Sequence, residues 1–159
     1  MKAAPAGVPD GVASAFAAQP EQAEFGTSHV SVVDAAGHAI AMTTTIEWAF
    51  GAHVMSDGGS GKAGGFLLNN QLTDFSFAPT DEQGQPIANR VQPGKRPRSS
   101  MSPTLVFDRR DGRLLMSLGS AGGVGIIDST AKTLIATLDW RLDAQRAIAL
   151  PNFGSYGNQ

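Results

Sequence analysis

The sequence contains no cysteine, and no run of apolar residues approaches the roughly 18 to 20 that a membrane-spanning helix requires. Without cysteine the chain forms no disulfide framework, thiolate nucleophile or cysteine-based zinc site, although such a chain can live in either redox compartment. The first twenty residues also lack the continuous apolar core of a signal peptide. We therefore expect no membrane partner, and the compartment stays open.

A strong charge of either sign is missing as well. The formal net charge is −2 and the sequence pI is about 5.8, which argues against a nucleic-acid partner. The three histidines, His29, His38 and His53, are too few and too scattered to indicate a metal site. The sequence therefore predicts a small-molecule partner, with no metal and no cofactor.

The chain has the length and composition of one ordinary globular domain, with 159 residues and 42% hydrophobic content. Residues 1–26 are rich in Ala, Gly, Pro and Gln and predict a flexible or partly helical leader. At Thr27 polar and apolar side chains begin to alternate, which predicts a β-hairpin with a turn at Ala36-Gly37 and a second strand over residues 39–46.

The middle of the chain is rich in residues that break regular structure. Six glycines lie between positions 51 and 65 and predict a loop, which is followed by a short buried strand at Phe66-Leu67-Leu68 and a polar turn. Prolines and the basic residues at positions 95, 96 and 98 make irregular backbone the expectation for residues 78–102. Loops this long are usually functional or disordered.

The last third predicts regular structure again. Residues 104–107 and 114–118 form an apolar pair of strands across a turn at Asp111-Gly112. A glycine-rich stretch, 119–123, then opens a helix, and a second short helix runs from Asp143 to Leu150 before Pro151. The apolar residues that recur at helical spacing in the first helix are Ile127, Ala131, Leu134, Ile135 and Leu138.

A candidate nucleophile stands at the head of the first strand. Thr27 follows Gly26 directly, and glycine lets the backbone adopt a strained geometry beside a reactive hydroxyl. Taken alone, this pattern favours an ordinary strand that begins with threonine. The residues downstream decide between these two interpretations.

Five blocks, in this order, resemble gamma-glutamyltransferases and the related cephalosporin acylases. They are TSHVSVVD at 27–34, TTTIE at 43–47, LLNNQLTDF at 67–75, PGKRPRSSMSPT at 93–104 and GSAGG at 119–123. The resemblance implies the α+β fold of N-terminal-nucleophile hydrolases, an αββα sandwich that is incomplete in this chain. It also implies that 1–26 is a leader from the end of the large-subunit segment and 27–159 a truncated small-subunit catalytic domain.

In this family a precursor cuts itself before the threonine, so the resemblance implies cleavage between Gly26 and Thr27. A free α-amine has a pKa of about 7.7 to 8.0, so that near neutral pH part of it is uncharged and can accept the proton of the threonine Oγ. The amide nitrogen before cleavage has no such basicity. Thr27 is therefore expected to be inert towards substrate until the chain is cut.

The resemblance also assigns roles to other positions. Thr45 matches a threonine that hydrogen-bonds the nucleophile, although β-propensity explains it equally well. Acceptors for the substrate α-ammonium are expected at Glu47, where relatives commonly have asparagine, at Gln71 and at Asp74, with simple solvation as the alternative for the first two. The donors to the substrate α-carboxylate are Ser99 and Ser100, or these form a plain turn. The oxyanion-hole amides are Gly122 and Gly123, or these merely start a helix.

The function implied is gamma-glutamyl transfer or hydrolysis on glutathione-like amides, with water or an amino acid as acceptor. No tyrosine lies between Phe75 and Ser99, where relatives carry a gating tyrosine, which favours an open site. The alternatives are a cephalosporin or glutaryl amidase and a truncated, non-catalytic fragment, because the partner large-subunit segment is absent from this chain. Relatives are usually exported, which implies a periplasmic or secreted location.

Overall fold

The computed structural model describes residues 16–19 and 26–154. The chain falls into two compact units, where one domain was the expectation. The smaller unit contains the described residues 16–19 and 72–99, and the larger contains 26–71 and 100–154. Most of the predicted leader, 1–26, lies outside the described residues.

The described residues of the larger unit include six β-strands and two α-helices. The strands are β1 (Thr27–Val33), β2 (Ala39–Thr45), β3 (Met55–Ser56), β4 (Phe66–Leu67), β5 (Thr104–Phe107) and β6 (Leu114–Leu118). The helices are α1 (Ile126–Leu138) and α2 (Ala144–Ala149). Among the described residues, the strands form three antiparallel pairs, each between chain neighbours: β1 with β2, β3 with β4, and β5 with β6.

The predicted hairpin at Thr27 is confirmed. β1 pairs with β2 along its whole length, from Thr27 opposite Thr45 to Val33 opposite Ala39. The connecting turn is closed by Asp34, whose carboxylate accepts the backbone N–H groups of Ala36 and His38, each at 2.9 Å. Hydrogen bonds from the His38 ring and backbone lower the pKa of this carboxyl below its ordinary value. The turn therefore fixes the register that places Thr27 opposite Thr45.

The second predicted strand pair, β5 and β6, is also confirmed, with an irregularity between Val106 and Phe107. β6 lies beside the hairpin. The Ser117 hydroxyl is within hydrogen-bonding distance of the Ile40 carbonyl oxygen of β2, at 3.1 Å. The end of β6, which leads towards Gly122 and Gly123, is thus tied to the hairpin that begins with Thr27.

The region between positions 51 and 68 differs from the prediction in two ways. Part of the expected loop forms β3, and the strand expected to be buried, β4, leaves Phe66 57% exposed. A strand of two residues with one partner alternates its side chains, so that Phe66 lies outwards while Leu67 is half-buried. An apolar run of three residues is too short to reveal this alternation in the sequence.

Both predicted helices form. A 3₁₀ turn, Gly123–Gly125, leads into α1, and Asp143 caps α2 by accepting the N–H of Arg146 at 3.0 Å. The apolar residues that suggested α1 are mostly not its buried side, because Ile127, Ile135 and Leu138 remain exposed. The residues of α1 that are buried are Ile126, Thr130, Lys132 and Ala136.

Lys132 of α1 is a buried lysine whose ammonium group binds the end of α2. It is 5% exposed, and its Nζ donates to the carbonyl oxygens of Ile148 at 3.2 Å and Leu150 at 2.9 Å. These carbonyls belong to the end of α2, where a helix has no backbone donors left to satisfy them. Lys132 therefore fastens the end of α2 to α1.

We expect Lys132→Met to lower the free energy of unfolding by about 1–3 kcal/mol, because two carbonyls lose a charged donor while the side chain keeps its length. Denaturant midpoints measure this effect. The matched control is Lys62→Met, since Lys62 lies exposed in the loop between β3 and β4. Equal midpoints for the two variants would show that the Lys132 contacts contribute nothing.

The smaller unit has irregular backbone, as predicted for residues 78–102. Its centre is Ile87, which is fully buried and whose neighbours exchange backbone hydrogen bonds with Ala17: Ala17 N–H donates to Pro86 at 2.9 Å, and Ala88 N–H donates to Ala17 at 3.2 Å. The Arg90 guanidinium lies 5.3 Å from the centre of the Phe16 ring, a cation–π contact.

Few apolar side chains are buried among the described residues. They are Phe75 and Ile87 in the smaller unit and Ile126, Ala136 and Ala147 in the larger. Along the hairpin, Val30, Val32, Ile40 and Met42 are all exposed. No helix in the described ranges is both long enough and apolar enough to cross a bilayer.

Candidate active site

The first feature of the site is the pairing of Thr27 with Thr45. They are direct cross-strand partners at the open end of the hairpin, and both are half-buried. The Thr45 Oγ1 accepts the backbone N–H of Glu47 at 2.8 Å, so the hydroxyl proton of Thr45 is still available to donate. The structure thus brings the predicted nucleophile and its predicted threonine neighbour together.

Gly26 is confined by the backbone that follows β2. Its φ is +100°, and a Cβ at this position would lie 2.8 Å from the Glu47 carbonyl oxygen and 2.8 Å from the Trp48 carbonyl carbon. Only glycine combines this dihedral with so close an approach. The backbone at Gly26 therefore lies directly against the turn at residues 47–49.

Glu47 occupies that turn and is itself unusual. It is 5% exposed and has a φ of +73°, a conformation that costs a residue with a side chain about 1–3 kcal/mol. Its carboxylate accepts a hydrogen bond from the Asn70 side-chain amide. The solvated alternative for Glu47 is therefore wrong, because the carboxylate is enclosed and has a protein partner.

Asn70 is the residue that sequence reasoning missed here. Its side-chain oxygen accepts the backbone N–H of Trp48 at 3.0 Å, and its backbone N–H donates to the Ile46 carbonyl at 3.2 Å. One amide side chain thus holds both the backbone and the carboxylate of the turn that contacts Gly26. Its place inside the block at 67–75 was the available signal, but its contacts lie 22 to 24 residues away in the chain.

The remaining predicted residues are distributed over both units. Gln71 is half-buried in the larger unit and donates its backbone N–H to the Asn69 side chain at 3.0 Å, whereas Ser100 is half-buried in the same unit. Asp74 belongs to the smaller unit, where its carbonyl accepts from Asn89 at 2.6 Å. Ser99 is exposed in that unit.

Gly122 and Gly123 lie between β6 and α1. Their φ values are +120° and +57°, so that both positions favour glycine. Within the part of the chain that the structure describes, neither N–H donates to a backbone acceptor. Backbone N–H groups at the start of a helical segment are the kind of donor that an oxyanion hole uses.

The groups with a displaced pKa lie elsewhere. The carboxyls of Asp34, Asp57 and Asp108 have a lowered pKa because side-chain or backbone donors in exposed turns hydrogen-bond their charged form. Asp34 lies in the turn at the other end of the hairpin from Thr27, and Asp57 and Asp108 lie in the connections from β3 to β4 and from β5 to β6.

His29 is the second residue that the sequence did not single out. It lies two residues after Thr27 on the same face of β1, with its Nδ1 at 2.8 Å from Thr43 Oγ1 and its Nε2 at 3.2 Å from Ser31 Oγ. In the sequence, His29 is one of three scattered histidines that do not indicate a metal site. Only its tertiary contacts reveal what it connects.

Comparison with known proteins places these features in a family context. The family model for gamma-glutamyltranspeptidase matches residues 4–156. The chain is 36% identical over 149 residues to glutathione hydrolase 2 of Arabidopsis thaliana, covering 85% of this chain and 24% of that protein. It is 38% identical over 131 residues to the glutathione hydrolase proenzyme of Escherichia coli K12, covering 80% of this chain and 21% of that protein. The chain thus spans about a fifth to a quarter of these relatives.

A shorter relative differs in this respect. The chain is 32% identical over 148 residues to glutathione hydrolase 4 of Arabidopsis thaliana, whose name includes the word inactive, and the match covers 85% of this chain and 74% of that protein.

Solved structures agree with the sequence matches. An acivicin-inhibited gamma-glutamyltranspeptidase is 35% identical, with a TM-score of 0.64 over 79% of this chain and 65% of the other. The gamma-glutamyltranspeptidase of Pseudomonas nitroreducens complexed with L-DON is 38% identical, with a TM-score of 0.62 over 77% of this chain and 62% of the other. The predicted α+β class and N-terminal-nucleophile hydrolase fold are thereby confirmed.

Proposed function

Because this chain belongs to the gamma-glutamyltranspeptidase family, we propose that it supplies the nucleophile of a reaction that transfers or hydrolyses gamma-glutamyl groups of glutathione-like amides. The observation that carries this proposal is the confinement of Gly26 next to Thr27, with Thr45 directly opposite. Several relatives are named proenzymes, which supports cleavage between Gly26 and Thr27. Residues 27–159 are then the small-subunit portion and 1–26 the end of the segment before it.

The chemistry follows from the groups around Thr27. After cleavage, the α-amine takes the proton of Oγ, which attacks the γ-carbonyl carbon, and the amides of Gly122 and Gly123 stabilise the oxyanion. The C–N bond breaks, the amine product leaves with that proton, and a glutamyl ester remains on Thr27. Water then releases glutamate, or the amino group of an acceptor amino acid forms a new γ-amide, and Oγ regains its proton.

Substrate recognition rests on the remaining polar residues. Glu47, held by Asn70, offers a carboxylate for the α-ammonium of the glutamyl group, together with Gln71 of the same unit. Ser100, also in the larger unit, donates to the α-carboxylate. For Asp74 and Ser99 these two roles rest on the family resemblance alone. The Glu47 carboxyl, which accepts from Asn70, favours substrates that carry a free α-amino group, because an ammonium donates charge-assisted hydrogen bonds to it.

The large-subunit segment of a precursor is the expected partner, and a periplasmic or secreted location is expected from the family.

A second candidate function has its own support. The match to glutathione hydrolase 4, which covers 74% of a relative named as inactive, favours a short chain that keeps the fold without turnover.

One assay separates these possibilities. The purified chain, alone and mixed with the large-subunit segment of the Escherichia coli relative, is given gamma-glutamyl-p-nitroanilide and glutaryl-p-nitroanilide, and its intact mass is followed. Turnover of the gamma-glutamyl anilide with a new chain beginning at Thr27 supports the proposal. Turnover of only the glutaryl anilide identifies an amidase, and an uncut, inactive chain in both mixtures identifies the non-catalytic alternative.

A further inference from the structure

We propose that His29 is a positioning residue, a neutral imidazole protonated on Nε2, that fixes the nucleophile hairpin to the segment leading to Gly122 and Gly123. Its effect on catalysis rests on the function proposed above, whereas its protonation and its contacts do not.

The contacts of His29 reach both structures that the reaction needs. Its Nδ1 lies 2.8 Å from the Thr43 hydroxyl on β2, and its Nε2 lies 3.2 Å from the Ser31 hydroxyl on β1. On its other side the ring lies against Gly119, the residue that follows β6. A Cβ at Gly119 would fall on the His29 ring atoms, inside van der Waals distance. The imidazole thus occupies the space that a side chain at position 119 would need.

The Ile40 carbonyl oxygen ends this series of hydrogen bonds, and it determines which atom donates in each of the others. The Ile40 carbonyl oxygen only accepts, so the Ser117 hydroxyl, at 3.1 Å, gives its single proton to it. The contact of 3.0 Å between Ser117 and Ser31 then requires the proton of Ser31. Ser31 Oγ therefore accepts from His29 Nε2–H. In the neutral ring the other nitrogen, Nδ1, then carries no proton and accepts from the Thr43 hydroxyl.

This arrangement explains why a histidine is useful at position 29. A side chain that accepts at one end and donates at the other joins Thr43 to Ser31 and, through it, to Ser117 on β6. β1 begins with Thr27, and β6 leads through Gly119 to Gly122 and Gly123. The ring therefore holds the nucleophile and the oxyanion amides in a fixed relation, which is the geometric condition for a fast acyl transfer.

The first test uses nuclear magnetic resonance and needs no activity. Two-bond ¹H–¹⁵N correlation spectra of the labelled chain, in mildly alkaline buffer, distinguish the two neutral imidazole tautomers. We expect the Nε2–H form for His29. His38 is an internal control of the opposite kind, because its Nδ1 lies 2.7 Å from the Asp34 carboxylate and donates to it. An Nδ1–H form of His29, or a tautomer average like that of an exposed ring, would overturn the proposal.

The second test is a double-mutant cycle on stability. Gly119→Ala is expected to lower the denaturant midpoint strongly when His29 is present and to have little effect in a His29→Ala background, because the obstructing ring is gone. If the changes in denaturant midpoint are additive, the His29 ring does not obstruct a side chain at position 119.

The third test concerns catalysis in the assembled, cleaved protein. His29→Gln keeps an N–H donor near the Nε2 position, His29→Asn keeps an acceptor near Nδ1, and His29→Ala keeps neither. We expect kcat to fall on the order of 10- to 100-fold for alanine and less for the two amides, with KM nearly unchanged. His53→Asn, at an exposed histidine, is the matched control.

These outcomes separate the inference from the function. If the unchanged protein has no turnover but His29 shows the Nε2–H tautomer and the cycle is non-additive, the proposed function fails while the placement of His29 stands. If turnover is present and His29→Ala leaves kcat unchanged, or raises KM alone, the positioning role is refuted.

Discussion

Thr27→Ala is expected to leave the chain uncut at Gly26 and to lower gamma-glutamyl turnover on the order of 10⁴-fold or more, because the variant has neither the attacking oxygen nor a cleaved amine. Intact mass and the anilide assay in the presence of the large-subunit segment measure the two effects. Thr27→Ser keeps a hydroxyl and is expected to cleave and turn over measurably, but more slowly, because serine lacks the methyl group that restricts χ1.

The matched control for this prediction is the next residue. Ser28 also carries a hydroxyl, but it points to the exposed side of β1 and pairs with Thr44. Ser28→Ala should therefore cleave and react like the unchanged chain. Cleavage at Gly26 that persists in Thr27→Ala would mean that another group performs the cut, and it would remove Thr27 from the self-processing step.

Gly51→Ala is expected to cause the largest loss of stability of any single methyl addition considered, about 2–5 kcal/mol. Gly51 is buried with a φ of +53°, and a Cβ there would fall on the Leu68 carbonyl oxygen, which already accepts the N–H of Ala52 at 2.9 Å. Both atoms belong to backbone, so no side chain can turn aside to make room. Denaturant midpoints measure the loss.

Gly59 offers a control that separates clash from dihedral strain. Its φ is +77°, yet nothing lies within 4 Å of a Cβ built on it. Gly59→Ala should therefore cost only the conformational term, about 1–2 kcal/mol. If the two alanine variants have equal midpoints, the packing of Gly51 against Leu68 is not what holds the turn at residues 47–53 in place.

Local patterns predicted the parts of the fold that depend on neighbouring residues. The alternation after Thr27 and the turn at Ala36-Gly37 predicted the hairpin, because a two-residue period and a glycine turn are visible within twenty residues, and the structure adds its register. That register brings Thr27 opposite Thr45, a pair that the family resemblance named. The starts of α1 and α2 followed from glycines and from Asp143 in the same way.

Contacts between distant residues could not be predicted in this manner. The burial of Glu47 depends on Asn70, and the side of α1 that is buried depends on what packs against it, so the exposed Ile127 and Ile135 gave no warning. His29 looked isolated because Thr43 and Gly119, which its ring contacts, are distant in the chain. The family resemblance named positions, but the relation between them required coordinates.

The small number of buried apolar side chains has a thermodynamic consequence. When an apolar group is already in water before unfolding, it adds nothing to the heat-capacity increase on unfolding. With Val30, Val32, Ile40 and Met42 exposed, the chain on its own should show a heat-capacity increment and a denaturant slope below those usual for 159 residues. Its stability then varies little with temperature near the maximum, and each kcal/mol gained or lost by substitution moves its melting temperature further than in an ordinary domain of this length.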